Sequence, residues 1–363
     1  MAEILVKGKK ITLRHQIVKV HSIADLEFVI SEGYYCLLFY PIIKKKAEEY
    51  IEKNWRKHPI LTFRYIRLLD DRKDYKKAYK LSLKLYKKVS FLGAHAIGYL
   101  YDVGHHVQRD DEVAVKFYEE VIKEDFAPSI TNLAFHYMNG LGVEKDPKKG
   151  IELYQRAAKL KYSTAFYRLA LYYNEGQYLE KDPKKSFEYM RKAANQGHLD
   201  AIFELSLYYK NGIGAEPNVK KENELLYRGS DFNDARCLVS MGAHYLHGIG
   251  VKQDFKIAYK YFYKAYKLKQ PKAYYNIASM YDLGQYLKQD YTEGYAYLLE
   301  ALRLGDKDAH FPLGLHYLEG AGVKKNLNKA IEHLEKAVEL NLSPDAPKLL
   351  ERARKELAGK WKK

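Results

Sequence analysis

Leu169-Ala170-Leu171-Tyr172-Tyr173-Asn174-Glu175-Gly176, continued by Asp182-Pro183-Lys184-Lys185-Ser186 and Lys192-Ala193-Ala194-Asn195-Gln196-Gly197, is the stretch on which the fold turns. Its Tyr173 is one of a series, because Tyr101, Tyr137, Tyr173, Tyr209, Tyr245, Tyr281 and Tyr317 stand 36 residues apart. A glycine follows each by three positions: Gly104, Gly140, Gly176, Gly212, Gly248, Gly284 and Gly320. An aliphatic residue or methionine precedes each by four: Ile97, Leu133, Leu169, Leu205, Met241, Ile277 and Leu313. Asp or Asn follows each by nine: Asp110, Asp146, Asp182, Asn218, Asp254, Asp290 and Asn326. Four columns in one register across seven units define an internal repeat.

The columns describe a helix, a turn and a second helix. Apolar or small residues eight, four, three and zero positions before the repeat tyrosine form one helical stripe. The glycine just beyond that stripe suits the left-handed residue that ends a helix. The Asp or Asn suits an N-cap, and Pro147 and Pro183 directly after it occupy a first-turn position where proline is tolerated. Small residues in the second helix, Ala157, Ala193, Gly229, Ala265, Ala301 and Ala337, allow close helix approach. One such pair of helices cannot bury its apolar face alone, so the units must stack. The expected fold is all-α: a right-handed α–α solenoid of seven repeats.

These strings, together with Leu313-Gly314, Tyr317, Gly320-Ala321-Gly322-Val323 and Lys329-Ala330, resemble the Sel-one-like repeat, a relative of the tetratricopeptide repeat. The resemblance covers about residues 93–344. It implies a scaffold, adaptor or regulator that binds other proteins, with no shared reaction. Some secreted bacterial members carry a disulfide in each repeat. This chain has only Cys36 and Cys237, which sets it apart from that branch.

Outside the seven repeats, Tyr65 continues the register one unit back, with Asp74 and Ala78 in column and Leu68 at the glycine position. Residues 57–92 therefore read as a degenerate first repeat with a tighter turn. Residues 1–56 do not fit and form a basic module of mixed α and β character. Within it, Glu3 to Thr12 alternates around Lys7-Gly8-Lys9 as a β-hairpin would. Ile23 to Ile30 reads as a helix, Tyr34 to Tyr40 as a buried strand, and Lys44 to Trp55 as a helix. At the other end Leu350, Ala353, Leu357 and Trp361 recur at helical spacing, so residues 345–363 read as a capping helix.

No catalytic string is present: no HExxH, no GxSxG, no phosphate loop ending in Gly-Lys-Ser/Thr and no SxxK serine. Gly140-Leu141-Gly142 and Gly248-Ile249-Gly250 follow a helix, not a strand, and read as inter-helix turns. Cys237, His244 and His247 share a helix and could be set against a metal, but Cys237 stands in a column of alanines. It reads as a small buried residue. His136, His244 and His316 share a column with Tyr172 and Tyr208 and read as a packing or interface stripe. The expectation is a non-enzymatic chain with no cofactor and no metal.

Positions six and two before the repeat tyrosine lie about 120° and 160° from it around the helix. They should be polar if they met only water, yet they include Tyr99, Phe135, Tyr167, Phe203, Tyr275 and Phe311. In tetratricopeptide-like solenoids this side of the first helix lines the concave groove, so the resemblance makes these residues peptide contacts. Asn139, Asn174, Lys210 and Asn211 would then form polar edges. The alternative is that the same rings are core.

The chain of 363 residues carries 62 Lys+Arg against 46 Asp+Glu, a formal +16. Residues 1–92 hold a net +11, residues 93–343 a net +1 and residues 344–363 a net +4. Lys44, Lys45, Lys46, Arg72, Lys73, Lys76, Lys77, Lys80 and Lys84 concentrate the excess, the later ones at steps that place them along one helix. That suits steering of an acidic protein, with a solvated face as the plain alternative and nucleic acid as a further class of partner. Two cysteines, and no apolar signal core in Met1 to Lys10, suit the cytoplasm. The longest apolar run, Tyr34 to Ile43, is too short to span a bilayer. The leading reading is a protein-binding scaffold; the second is an inhibitor, such as an immunity protein neutralising a cognate toxin.

Overall fold

The computed structural model describes residues 2–6, 9–13 and 41–360, with side chains from 48 to 359. Strands Ala2–Val6 and Lys9–Leu13 pair antiparallel with Ala2 opposite Leu13 and Val6 opposite Lys9, as the alternation predicts. The helix expected at residues 23–30 and the strand expected at 34–40 lie outside the described residues. From Pro41 onward the described chain is helical, an all-α solenoid.

Each repeat is built as its columns dictate. In the unit around Tyr173, the first helix, Ser163–Glu175, ends on Gly176 at φ 75°, a left-handed conformation that glycine adopts without a Cβ clash. A six-residue loop follows, and the second helix, Pro183–Asn195, starts on an Asp182 side chain that accepts the Lys185 N–H at 2.9 Å. The Asp182 backbone N–H also donates to the carbonyl of Tyr173 at 2.9 Å, closing the loop. The same closure joins Asp146 to Tyr137, Asp254 to Tyr245, Asp290 to Tyr281 and Asn326 to Tyr317. Tyrosine, glycine and aspartate are thus one device that sets the angle between two helices.

The unit around Tyr65 lacks the glycine and turns differently. Its first helix, Pro59–Asp71, runs straight through Leu68, and Lys73 at φ 63° makes the reversal before the Asp74 cap. Four extra helical residues, Leu68 to Asp71, replace most of the loop, so the register survives.

The core lies between first and second helices. Tyr118, Tyr154, Met190, Leu226, Phe262, Leu298 and Leu334, seventeen positions after each repeat tyrosine, are all buried. They face small residues on the first helix. At Gly242 an added Cβ would lie 2.4 Å from the Phe262 ring. Most repeat tyrosines stack on a second-helix ring in their own unit: Tyr173 on Tyr189, Tyr245 on Tyr261 and Tyr281 on Tyr297, each at 5.7 Å. The abundance of tyrosine is therefore largely a packing feature of the repeat.

The helices group into two compact units, Met1–Pro217 and Asn218–Lys363. In the second, helix Ala346–Lys360 lays Leu350 and Ala353 against Leu327, Ala330 and Leu334 of the last repeat. Trp361 lies outside the described residues.

Candidate partner-binding surfaces

In the unit Met1–Pro217, Tyr99, Tyr167 and Phe203 are half-buried on the first helices, and Phe135 is 37% exposed. Cations and rings flank them: the Arg67 guanidinium lies 5.0 Å from the Tyr99 ring and that of Arg168 5.7 Å from Phe135. Tyr167 stacks on His198 at 4.6 Å. Two neighbours in the same columns belong to the core instead. His95 is 2% exposed among Phe63, Tyr118 and Phe126, and burial pushes its imidazole down to about 3; Thr131 is also buried. The stripe thus passes from core at its N-terminal end to half-open rings. In the unit Asn218–Lys363, Tyr275 is half-buried beneath the Lys272 ammonium at 4.7 Å, and Phe311 is half-buried against the last repeat.

Asn139, Lys210 and Asn211 are exposed and Asn174 is half-buried. The Asn139 amide donates to the Phe135 carbonyl at 2.8 Å.

The basic residues divide. Lys76, Lys77, Lys80 and Lys84 project from helix Tyr75–Lys88 and are exposed, as is Lys73 in the turn before it. Lys77 also donates to the Tyr65 hydroxyl at 2.9 Å. Arg72 is engaged by Glu52 and, at 3.4 Å, Glu48, and these carboxylates hold it above its ordinary value against a smaller effect of burial. Lys44, Lys45 and Lys46 lie in helix Pro41–Asn54, and their side chains fall outside the described ones.

The histidine column is a packing stripe, as expected, with a chemistry the columns did not disclose. His136 and His316 each set Nδ1 on a backbone carbonyl, Leu141 at 2.8 Å and Ala321 at 2.7 Å. Each turns Nε2 to a carboxylate of the preceding repeat, Asp102 at 3.4 Å and Asp282 at 3.0 Å. Burial works to lower both histidines, but the acceptors outweigh it and hold them above the ordinary value. His244 instead faces Asn223 at 2.5 Å and Glu222 at 3.2 Å. Tyr208 reaches Ser186 at 2.8 Å. The partner of the column is therefore the residue 22 positions earlier in two repeats. The signal was present: Glu222 breaks a column otherwise made of Ala114, Gly150, Ser186, Ala258, Gly294 and Ala330. Cys237 is fully buried, which pushes its thiol up, and His247 is exposed. Gly140 and Gly142 have φ of 70° and 66°, and Gly248 and Gly250 have 72° and 62°, so both pairs are turns between helices.

The sequence profile of the Sel1 repeat matches residues 92–122, 127–162, 164–198, 199–221, 235–269, 271–306 and 307–342. The chain belongs to the Sel1 repeat family. No curated protein matches it. Among solved structures, a protective antigen of uropathogenic Escherichia coli with an SLR fold superposes with TM-score 0.64 at 20% identity, covering 86% of this chain and 72% of that one. A Sel1 repeat protein of Oxalobacter formigenes gives 0.57 at 24% identity, covering 84% and 89%. An immunity protein of Pseudomonas aeruginosa gives 0.41 at 19% identity over 60% of this chain and 83% of that one, a likeness too loose to carry an argument. The first two likenesses establish the Sel1 solenoid fold and nothing finer. Among the described residues no helix is long and apolar enough to cross a membrane.

Proposed function

We propose that this Sel1 repeat protein is a non-enzymatic scaffold of the cytoplasm that takes a protein segment or extended peptide along the first-helix stripe. The observation that carries the reading is that the first helices keep half-buried rings in the same columns in each compact unit: Tyr99, Tyr167 and Phe203 in Met1–Pro217, and Tyr275 and Phe311 in Asn218–Lys363. Rigid aromatic faces with cations beside them supply contact area at low entropic cost and accept apolar or acidic side chains. The exposed lysines of helix Tyr75–Lys88 add long-range attraction for acidic partners, which raises the association rate more than the affinity.

The test is affinity capture from native extract with the full chain, repeated at high salt. A variant carrying Tyr167→Ser, Phe203→Ser and Tyr275→Ser should lose the captured partner while its thermal transition stays close to that of the parent. Undiminished capture by that variant refutes the stripe. A K76Q/K80Q/K84Q variant should retain the partner but slow its association at low salt.

A further inference from the structure

We propose that the outer face of helix Phe255–Lys267, with the turn that carries Tyr286, binds a single-stranded polynucleotide. This surface is separate from the first-helix stripe, and its failure would leave that reading untouched.

Taken as a block the repeats are nearly neutral, which hides a local excess. Residues 252–272 contain seven lysines, of which Lys272 is paired with Asp306 and Asp308, and one acid, Asp254, whose side chain is occupied as the cap of this helix. At about 100° per residue, Tyr266, Tyr259 and Tyr263 fall on one edge of the outer face, and Lys256, Lys267, Lys260 and Lys264 on the other. The whole set spans roughly 160° of the helix, opposite the buried Ala258 and Ala265. The lysines are exposed; the Lys267 ammonium lies 4.8 Å from the Tyr263 ring and that of Lys264 5.8 Å from Tyr261, and among the described residues no carboxylate pairs with any of the four. The nearby Glu300 is held by Arg303 at 2.6 and 2.7 Å.

The tyrosines form a ladder. Tyr259 stacks on Tyr263 at 5.8 Å, Tyr263 on Tyr266 at 5.6 Å, and Tyr286 adds a further ring 5.5 Å from Tyr259. Tyr263 is 38% exposed and Tyr286 50%. Tyr286 has φ 64°, in a column where Gly142, Gly214, Gly250 and Gly322 adopt the same left-handed conformation without strain and where His106 also takes it, at φ 68°. A bulky side chain held there is disfavoured, and such outliers cluster where a side chain is needed.

The tyrosines alone would suit a protein partner, but a whole edge of lysines counts against one, because lysine is depleted in protein–protein interfaces. Compact ammonium charges beside flat rings instead match a polyanion with flat apolar units. Phosphates would lie along the lysine edge, and unstacked bases would lie on the tyrosine edge. The helix offers roughly 20 Å of such track. A duplex keeps its bases stacked inside and could use only the lysines.

The experiment uses the full chain and a fluorescein-labelled oligothymidylate or oligouridylate, with anisotropy read from roughly 50 to 200 mM salt. Binding should weaken steeply with salt. K256Q/K260Q/K264Q should lower affinity and flatten the log–log salt slope by about 2. Y263A/Y286A should lose about ten-fold in affinity with the slope unchanged. K76Q/K80Q/K84Q, on the other basic helix, should leave binding unaltered, and circular dichroism should show every variant folded. The proposal is overturned if the strand does not bind at low salt, if the tyrosine variant binds as the parent does, or if duplex or polyglutamate binds equally well.

Discussion

His316 has a hydrogen-bond acceptor at each ring nitrogen, and neutral imidazole has only one N–H to give. Both contacts are made only by the imidazolium, which the Asp282 carboxylate balances across two adjacent repeats. Around it stand the Tyr291 and Tyr295 rings, at 6.3 and 6.0 Å, and no second cation is recorded among its described contacts. Because its folded value lies above the ordinary one, the stabilisation is fully present below about pH 6.5 and is lost as pH rises through the folded value. His95 works with the opposite sign: held neutral by burial, it favours unfolding as pH falls below about 6.5. The two must be separated by difference. Urea unfolding of His316→Gln should show a stability loss against the parent that is larger at acidic pH and shrinks toward alkaline pH. A loss independent of pH would mean that the pair contributes shape alone. Residue chemistry at this level was half legible. The histidine column and its burial followed from spacing, but its carboxylate partners did not, because Asp102 and Asp282 stand in a column that elsewhere holds Met138, Asn174, Lys210, Leu246 and Leu318. A contact made in two repeats of seven leaves no period to detect.

At the scale of the helix, nearly everything that forms an element was readable, because caps and turns act locally and repeat. Asp182 both accepts the Lys185 N–H and closes the loop onto Tyr173, so Asp182→Ala should cost about 1 kcal/mol of stability. Asp182→Asn should recover most of it, since the carboxamide oxygen accepts the same bond; chemical denaturation of both variants reads the difference. Gly242 answers a different constraint, namely that the Phe262 ring occupies the space a Cβ would need. Gly242→Ala should destabilise by roughly 1–3 kcal/mol through overpacking. It should be rescued in part by Phe262→Leu, a coupling that two independent sites would not show. What the sequence could not decide was the fate of the aromatic stripe. Offsets of six and two positions place a ring on the helix face but do not say how deeply the neighbouring unit covers it. His95 is core and Phe135 open, although both occupy stripe columns of the first helix.

At the scale of the molecule, an array in which each repeat touches mainly its neighbours has no single core, and its stability is a sum of local terms and interfaces. The charge follows the same logic. A sum over residues 93–343 gives +1 and conceals the seven lysines packed into residues 252–272, so averaging over several repeats erases the surface of one. Local stability should likewise be readable helix by helix. Helix Ala346–Lys360 covers Leu327, Ala330 and Leu334, and nothing else among the described residues does so from that side. Deleting residues 345–363 should expose these side chains and leave helix Leu327–Glu339 with an unpaired apolar face. Hydrogen exchange should then lose protection first in Leu327–Glu339, less in Tyr291–Arg303, and not in Pro147–Lys159 of the other compact unit. A uniform loss across all three helices would show that the chain unfolds as one cooperative body, and that nearest-neighbour stacking is the wrong description of it.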